Sequence, residues 1–298
     1  MRSHHHYDLD DPEVDINPFT MLPPQQQEEE EAQFPPSSPE NFNGTVVTTP
    51  PFQDLEQQNH FLSSINSNLV IRQLPSEGLS FQLWPAATSL VNLLDRHCAD
   101  PTINSPLFDL FKVGNQRGHY RILELGSGTG LVGLAAAAIL GANVTVTDLR
   151  HVLPNLQYNI EANAGILEVN GGVVNAAALS WGETEEMEAI GRDYDYILAS
   201  DVVYHDHLYE PLLKTLEWFL LGNSEEKEIV FVMAHLRRWK KESAFFKKAK
   251  KVFDVEVIHT DDPPKGSRIG VVVYTFVAKA KARLKLKSGK KGNKQGHN

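Results

Sequence analysis

A single cysteine, Cys98, stands in 298 residues. That excludes an intramolecular disulfide and a cysteine-ligated zinc site, and it points to a reducing compartment. Long apolar runs are missing too. The longest, Leu131 to Val146, is interrupted by Gly141 and Asn143, so it is too short for a membrane span and suits a helix turning into a strand. The first residues lack the apolar stretch of a secretory signal, and the expectation is a soluble cytoplasmic protein with no membrane partner. No internal repeat is present.

Apolar periodicity is absent from residues 1–57, where "PPQQQEEEEAQFPPSSPE" sets the composition. A disordered acidic arm is expected there, with the three histidines at 4–6 solvated. In "KAKARLKLKSGKKGNKQGHN" it is acids that are absent. Residues 279–298 read as a disordered basic tail, suited to nuclear import, to a weak contact with nucleic acid or ribosomes, or to plain solvation. Without the eight Lys and Arg of that tail the chain keeps 20 basic residues against 38 acidic ones, so the formal net charge of −10 understates how acidic the remainder is. With 41% hydrophobic residues the span 58–278 can bury one good core.

Within that span "NLVIRQL" and "LSFQLW" read as short strands, and "PAATSLVNLLDRH" as a helix starting beside Pro85. Next come a strand at 121–125, a glycine loop, a helix at 130–140, the strand "NVTVTD", and a helix through "LPNLQYNIEANAG" that stops near Gly165. The alternation continues with "GGVVNAAALSW", the strand "YDYILASD", a helix at "LYEPLLKTLEWFL", the strand "EIVFVMAH" and an amphipathic helix at 239–252. It ends in a hairpin of "FDVEVIHT" and "GVVVYTFVA". This order predicts an α/β, Rossmann-like, doubly wound sheet of seven strands, mostly parallel with one antiparallel strand, plus short N-terminal strands.

The chemistry should sit at the carboxyl ends of those strands. In "RILELGSGTGLVGLAAAAIL" the glycines fit both GxGxG and the GxGxxG of dinucleotide folds, so their spacing alone decides little. Glu124, just before Gly126, is expected to aim its carboxylate at the ligand. A pyrophosphate would be repelled there, whereas the ammonium of S-adenosylmethionine would be attracted and its carboxylate served by loop N–H groups. The other role for Glu124 is to cap or pair with a neighbouring segment. Asp148 ends the second strand about twenty residues beyond the glycine loop, where an acid accepts the ribose hydroxyls, unless it is a helix cap. Trp181 follows the third strand and is placed to pack on adenine or to join the core. Ser200 and Asp201 end the fourth strand, with Tyr204 one loop further on. A carboxylate at Asp201 would pair with an incoming ammonium and orient its nitrogen; capping the next helix is its alternative. His205 and His207 flank Asp206 without completing a ligand set, and no metal is expected.

Together "FQLWPAA", "LELGSGTGLVGLAAA", "VTVTD", "LSWG" and "ILASDVVY" resemble the seven-strand methyltransferase superfamily, and within it the family 16 protein-lysine methyltransferases of the methyltransferase-like 21 type. The resemblance spans about residues 58–278. It implies that Trp84, Gly126, Ser127, Gly128, Asp148, Trp181 and Ser200 contact S-adenosyl-L-methionine, and that Asp201 and Tyr204 form the lysine end. It also implies an enzyme acting on a protein substrate, here expected to be a monomer. Ser200 departs from the pattern, since relatives often have alanine there. Base N-methyltransferases commonly carry a proline pair where this chain has Val202 and Val203, which leaves a nucleic acid or small molecule as the second substrate class. A catalytically silent binding module is the third reading, opposed by Glu124, Asp148 and Asp201.

Overall fold

A computed structural model describes residues 56–100, 105–107, 110–111, 120–222, 228–263, 270–280 and 282. The expected acidic arm up to residue 55, nearly all of the basic tail and the end of the "DDPPKG" connection lie outside the described residues. An N-terminal hairpin, β1 (Glu56–Leu62) and β2 (Ser67–Gln73), precedes α1 (Pro85–Ala99). Its first strand starts just ahead of the boundary expected at residue 58. The main sheet holds β3 (Arg121–Leu125), β4 (Asn143–Asp148), β5 (Val173–Ala178), β6 (Tyr196–Ser200), β7 (Val230–Leu236), β8 (Phe253–Thr260) and β9 (Val271–Ala278). Its order is β5-β4-β3-β6-β7-β9-β8. The strands β3 to β7 pair in parallel, and β9 runs antiparallel to both of its neighbours. The reversed strand expected from the sequence is therefore β9.

Side-chain alternation along the strands builds two cores. Ile122 joins α1, α2 (Leu131–Leu140), α3 (Leu153–Ala162) and α4 (Ala164–Asn170) on one face. Leu123 and Leu125 join α5 (Thr184–Ile190), α6 (Tyr209–Leu221) and α7 (Ser243–Val252) on the other. Every residue of α2 is buried, which is why "LVGLAAAAIL" shows no polar face: the helix lies between the sheet and α1.

Several local expectations need correction. "LSFQLW" is not a strand: Leu79–Phe81 form a 3-10 turn after Gly78, and the Leu74 N–H donates to the Phe81 carbonyl at 3.0 Å. With no strand beside it, the segment closes on itself and buries Phe81. The helix through "LPNLQYNIEANAG" breaks at Asn163 and resumes as α4, stopping at Gly171 in the left-handed conformation (φ 73°) rather than near Gly165. The short helix α5 was not anticipated.

Three asparagines one helical turn apart hold the hairpin in place. Asn163 accepts from the Val70 N–H (2.9 Å) and donates to the Val70 carbonyl (2.8 Å). Asn159 does the same for Arg72 at 2.8 and 3.2 Å, and also donates to the Thr129 carbonyl at 2.8 Å. Asn155 accepts from the Arg72 Nε at 2.7 Å. Side-chain amides at i, i+4 and i+8 share one helix face, so α3 serves the open edge of β2 as a neighbouring strand would. Asn159 is fully buried. Asn159→Ala should lower the unfolding free energy by about 2–3 kcal/mol, because backbone groups of Arg72 and Thr129 are left unpaired; urea denaturation measures it.

Candidate active site

A cavity of about 270 Å³ opens at the carboxyl ends of β3, β4 and β6. It is lined by nine of the ten residues expected at the site: Trp84, Gly126, Ser127, Gly128, Asp148, Trp181, Ser200, Asp201 and Tyr204. The glycine loop leaves β3 and starts α2. Its Gly126 is left-handed (φ 60°), and a Cβ there would meet Cζ2 of Trp181 at 2.9 Å. The indole thus lies directly against bare backbone. Ser127 knits the loop to β4, donating its N–H to the Thr147 carbonyl (2.9 Å) and accepting the Thr147 N–H on its hydroxyl (3.0 Å). Trp84 precedes α1 and donates its indole N–H to the Leu79 carbonyl at 3.0 Å.

Asp148, the last residue of β4, accepts from Gly128 N–H and Leu149 N–H at 2.8 Å each, one on either oxygen. Each oxygen keeps lone-pair capacity toward the cavity. Helix α3 begins only at Leu153, so Asp148 is not its cap. Burial raises the Asp148 carboxyl above its usual range, against the two backbone donors.

Glu124 is the exception. It shares a face of β3 with Ile122, so its side chain passes under α2 instead of projecting from the strand end. The carboxylate is fully buried and accepts the Gly133 N–H at 2.9 Å. A Cβ on Gly133 would stand 2.6 Å from that oxygen, which explains the last glycine of the motif. Glu124 does not line the cavity; the expectation that it points at the ligand is corrected to a role beneath the loop. Burial pushes its carboxyl up to about 8, with the charge of Asp148 adding to the rise. A raised folded pKa contributes stability that is full below the unfolded value and is lost as pH climbs through the folded one. Glu124→Gln should therefore gain stability relative to the natural chain between about pH 4.5 and 8, in urea denaturation at stepped pH.

Asp201 is the second surprise. Its backbone is left-handed (φ 53°), a conformation rare outside glycine, asparagine and aspartate. The turn directs its carboxylate to the Leu236 N–H (2.9 Å) and to the Arg238 guanidinium, whose two terminal nitrogens lie 3.3 and 2.9 Å away. Nδ1 of His235 is 3.5 Å from the same carboxylate, and Nε2 of His235 is 3.1 Å from Glu242. Burial alone would raise the Asp201 carboxyl, but Arg238 and His235 hold it down at about 2. His235 is raised by its two acidic partners in spite of its own burial. The expected free carboxylate for a substrate ammonium is thus already paired. Nor does Asp201 cap α6, which starts at Tyr209.

Arg238 was not anticipated. It lines the cavity, pairs with Asp201, and places its guanidinium 5.4 Å from the Trp84 ring centroid. The only signal for it was indirect: "HLRRW" follows the strand that pairs with β6, so residues just past both strand ends must meet. Breaking a buried pair from one side is costly. Asp201→Asn and Arg238→Met should each lower the unfolding free energy by about 3–5 kcal/mol, and the double variant by much less than their sum, in chemical denaturation.

A glycine-loop cavity at the switch point of a seven-strand sheet defines a Rossmann-like fold with a site for a nucleoside-bearing ligand. A family model described as lysine methyltransferase matches residues 63–252, and the chain belongs to that family. It is 36% identical over 141 residues to the zebrafish protein N-lysine methyltransferase METTL21A, a match covering 47% of this chain and 61% of that protein. It is 29% identical over 221 residues to the mouse protein-lysine methyltransferase METTL21E, covering 73% and 78%. Among solved structures, the human methyltransferase 10 domain containing protein aligns with a TM-score of 0.46 and 12% identity, over 70% of this chain and 88% of that one.

Proposed function

We propose that this chain transfers a methyl group from S-adenosylmethionine to a lysine side chain of a protein substrate. One observation carries the reading: every residue lining the cavity, from Leu79 to Trp239, falls within the 63–252 span of the lysine methyltransferase family. The cavity also fits the cofactor. Asp148 offers acceptor capacity for a ribose diol, and Trp181, Leu149 and Leu179 give an apolar wall for adenine. The Gly126–Gly128 turn lines the cavity at the carboxyl end of β3, where the amino-acid end would lie. When bound, the cofactor supplies an electrophilic methyl on sulfur.

The protein's own part is alignment and exclusion of water. A lysine nitrogen must arrive neutral to attack, and Asp201, held by Arg238, does not stabilise its protonated form as a free carboxylate would. Tyr204 and His205 line the same end, their rings 4.8 Å apart. Burial lowers His205, with His207 and Lys241 adding to the effect, so a protonated imidazole is disfavoured at that end. The single cysteine supports a cytoplasmic place of action, with the nucleus as a second. The reading is tested by incubating the protein with methyl-labelled cofactor and cell lysate. Label recovered as methyl-lysine in protein hydrolysates sustains it, and label confined to RNA or small molecules overturns it. Asp148→Ala should weaken cofactor binding by about 1.5–3 kcal/mol in calorimetric titration.

A further inference from the structure

Residues 237–251, "RRWKKESAFFKKAKK", hold eight Lys and Arg and one acid in a chain whose net charge is −10. That acid, Glu242, is buried and turned inward, accepting the Arg238 N–H at 3.1 Å. Lys240, Lys241, Lys247, Lys248, Lys250 and Lys251 are all exposed. Among the described residues, Lys248 alone of these six forms an ion pair, with Glu210. The buried side of α7 is Phe245, Phe246 and Ala249, so the helix divides into an aromatic inner stripe and a lysine outer one.

This stripe starts at the cavity. Trp239 and His205 line the cavity, the Lys241 ammonium lies 4.7 Å from the Trp239 ring centroid, and its charge is felt at His205. His207 stacks on His205 at 5.3 Å. Lys240 and Lys241 therefore stand at the lip of the end assigned to lysine, and Lys247 to Lys251 extend the positive field away from it. Six exposed cations outnumber the acids beside them, Glu210 on Lys248 and Asp206 near His205, and repel one another, a cost that a solvated helix face avoids by mixing signs.

We infer that this lysine face is the docking surface for an acidic segment of the protein substrate, flanking the lysine that enters the cavity. The inference rests on the methyl-transfer reading and adds the substrate class. An acidic peptide is favoured over nucleic acid because the matching family is that of lysine methyltransferases, and an acceptor lysine comes on a polypeptide.

The test uses the full chain and short fluorescein-labelled peptides with one central lysine, flanked by glutamates in one and by serines in the other. A labelled single-stranded RNA of the same charge is the third probe. By fluorescence anisotropy the acidic peptide should bind at least about tenfold tighter than the serine peptide, with the gap closing as salt is raised. Lys240→Glu combined with Lys241→Glu should abolish the gap, and Lys247→Glu combined with Lys250→Glu should narrow it. Equal binding of the two peptides, a gap that survives both charge reversals, or RNA bound more tightly than the acidic peptide would each overturn the inference. Calorimetric titration of the same proteins with S-adenosylmethionine reads the underlying function separately. Failure to bind the cofactor counts against methyl transfer and leaves the peptide comparison standing.

Discussion

The open edge of β2 must be satisfied before a cavity can exist. An unpaired strand edge in contact with the protein body would leave backbone donors and acceptors without partners. Asn155, Asn159 and Asn163 meet that demand with side chains, and so fix the hairpin against α3. The chain leaving the hairpin is then committed. Its two 3-10 turns and the approach to Pro85 bring Ser80, Gln82 and Trp84 over the glycine loop. One wall of the site is thus a consequence of amide pairing some distance from it.

The acids of the site show a common economy of charge. Glu124 is committed to the first turn of α2, Asp201 to Arg238 and the end of β7, and Asp148 to two backbone donors. Of the three, Asp148 keeps acceptor capacity directed at the cavity. The space left for ligand is walled largely by apolar and aromatic groups, an environment that disfavours a charged amine and admits little competing water. The cations Arg238 and Lys241 at that end act in the same direction.

Much of this was legible in the sequence, for reasons that can be stated. The parallel strands are short runs rich in β-branched and apolar residues between glycine or turn signals, so β3, β4 and β6 are legible nearly to the residue, and the position of Asp148 at a strand tip follows. Proximity to the glycines suggests a ligand contact for Glu124, whereas strand alternation puts it on the face of Ile122, beneath α2. Asp201 lies at the strand end where the sequence puts it, but its pairing with Arg238 is not legible there, since that partner lies 37 residues on and comes close only through the pairing of β6 with β7. The polar strand β1 carried no hydrophobic signal because it is defined by its partner, and the asparagine ladder looked like an ordinary polar helix face. What periodicity reports is burial; what it misses is who satisfies whom.

The amide ladder also sets an order of events during synthesis. Val70 and Asn163 are 93 residues apart, and chains are made at roughly 5–20 residues per second. The hairpin therefore emerges about 5–20 s before the helix that accepts it, a long interval compared with the microseconds in which hairpins form. During that interval β2 presents a bare edge to every neighbouring nascent chain. The glutamines and asparagine of β1, "EQQNHFL", confine the early hairpin's apolar surface largely to Leu62, Leu69 and Ile71, which the finished core buries. A sequence that looks unremarkable in the finished protein is well suited to waiting.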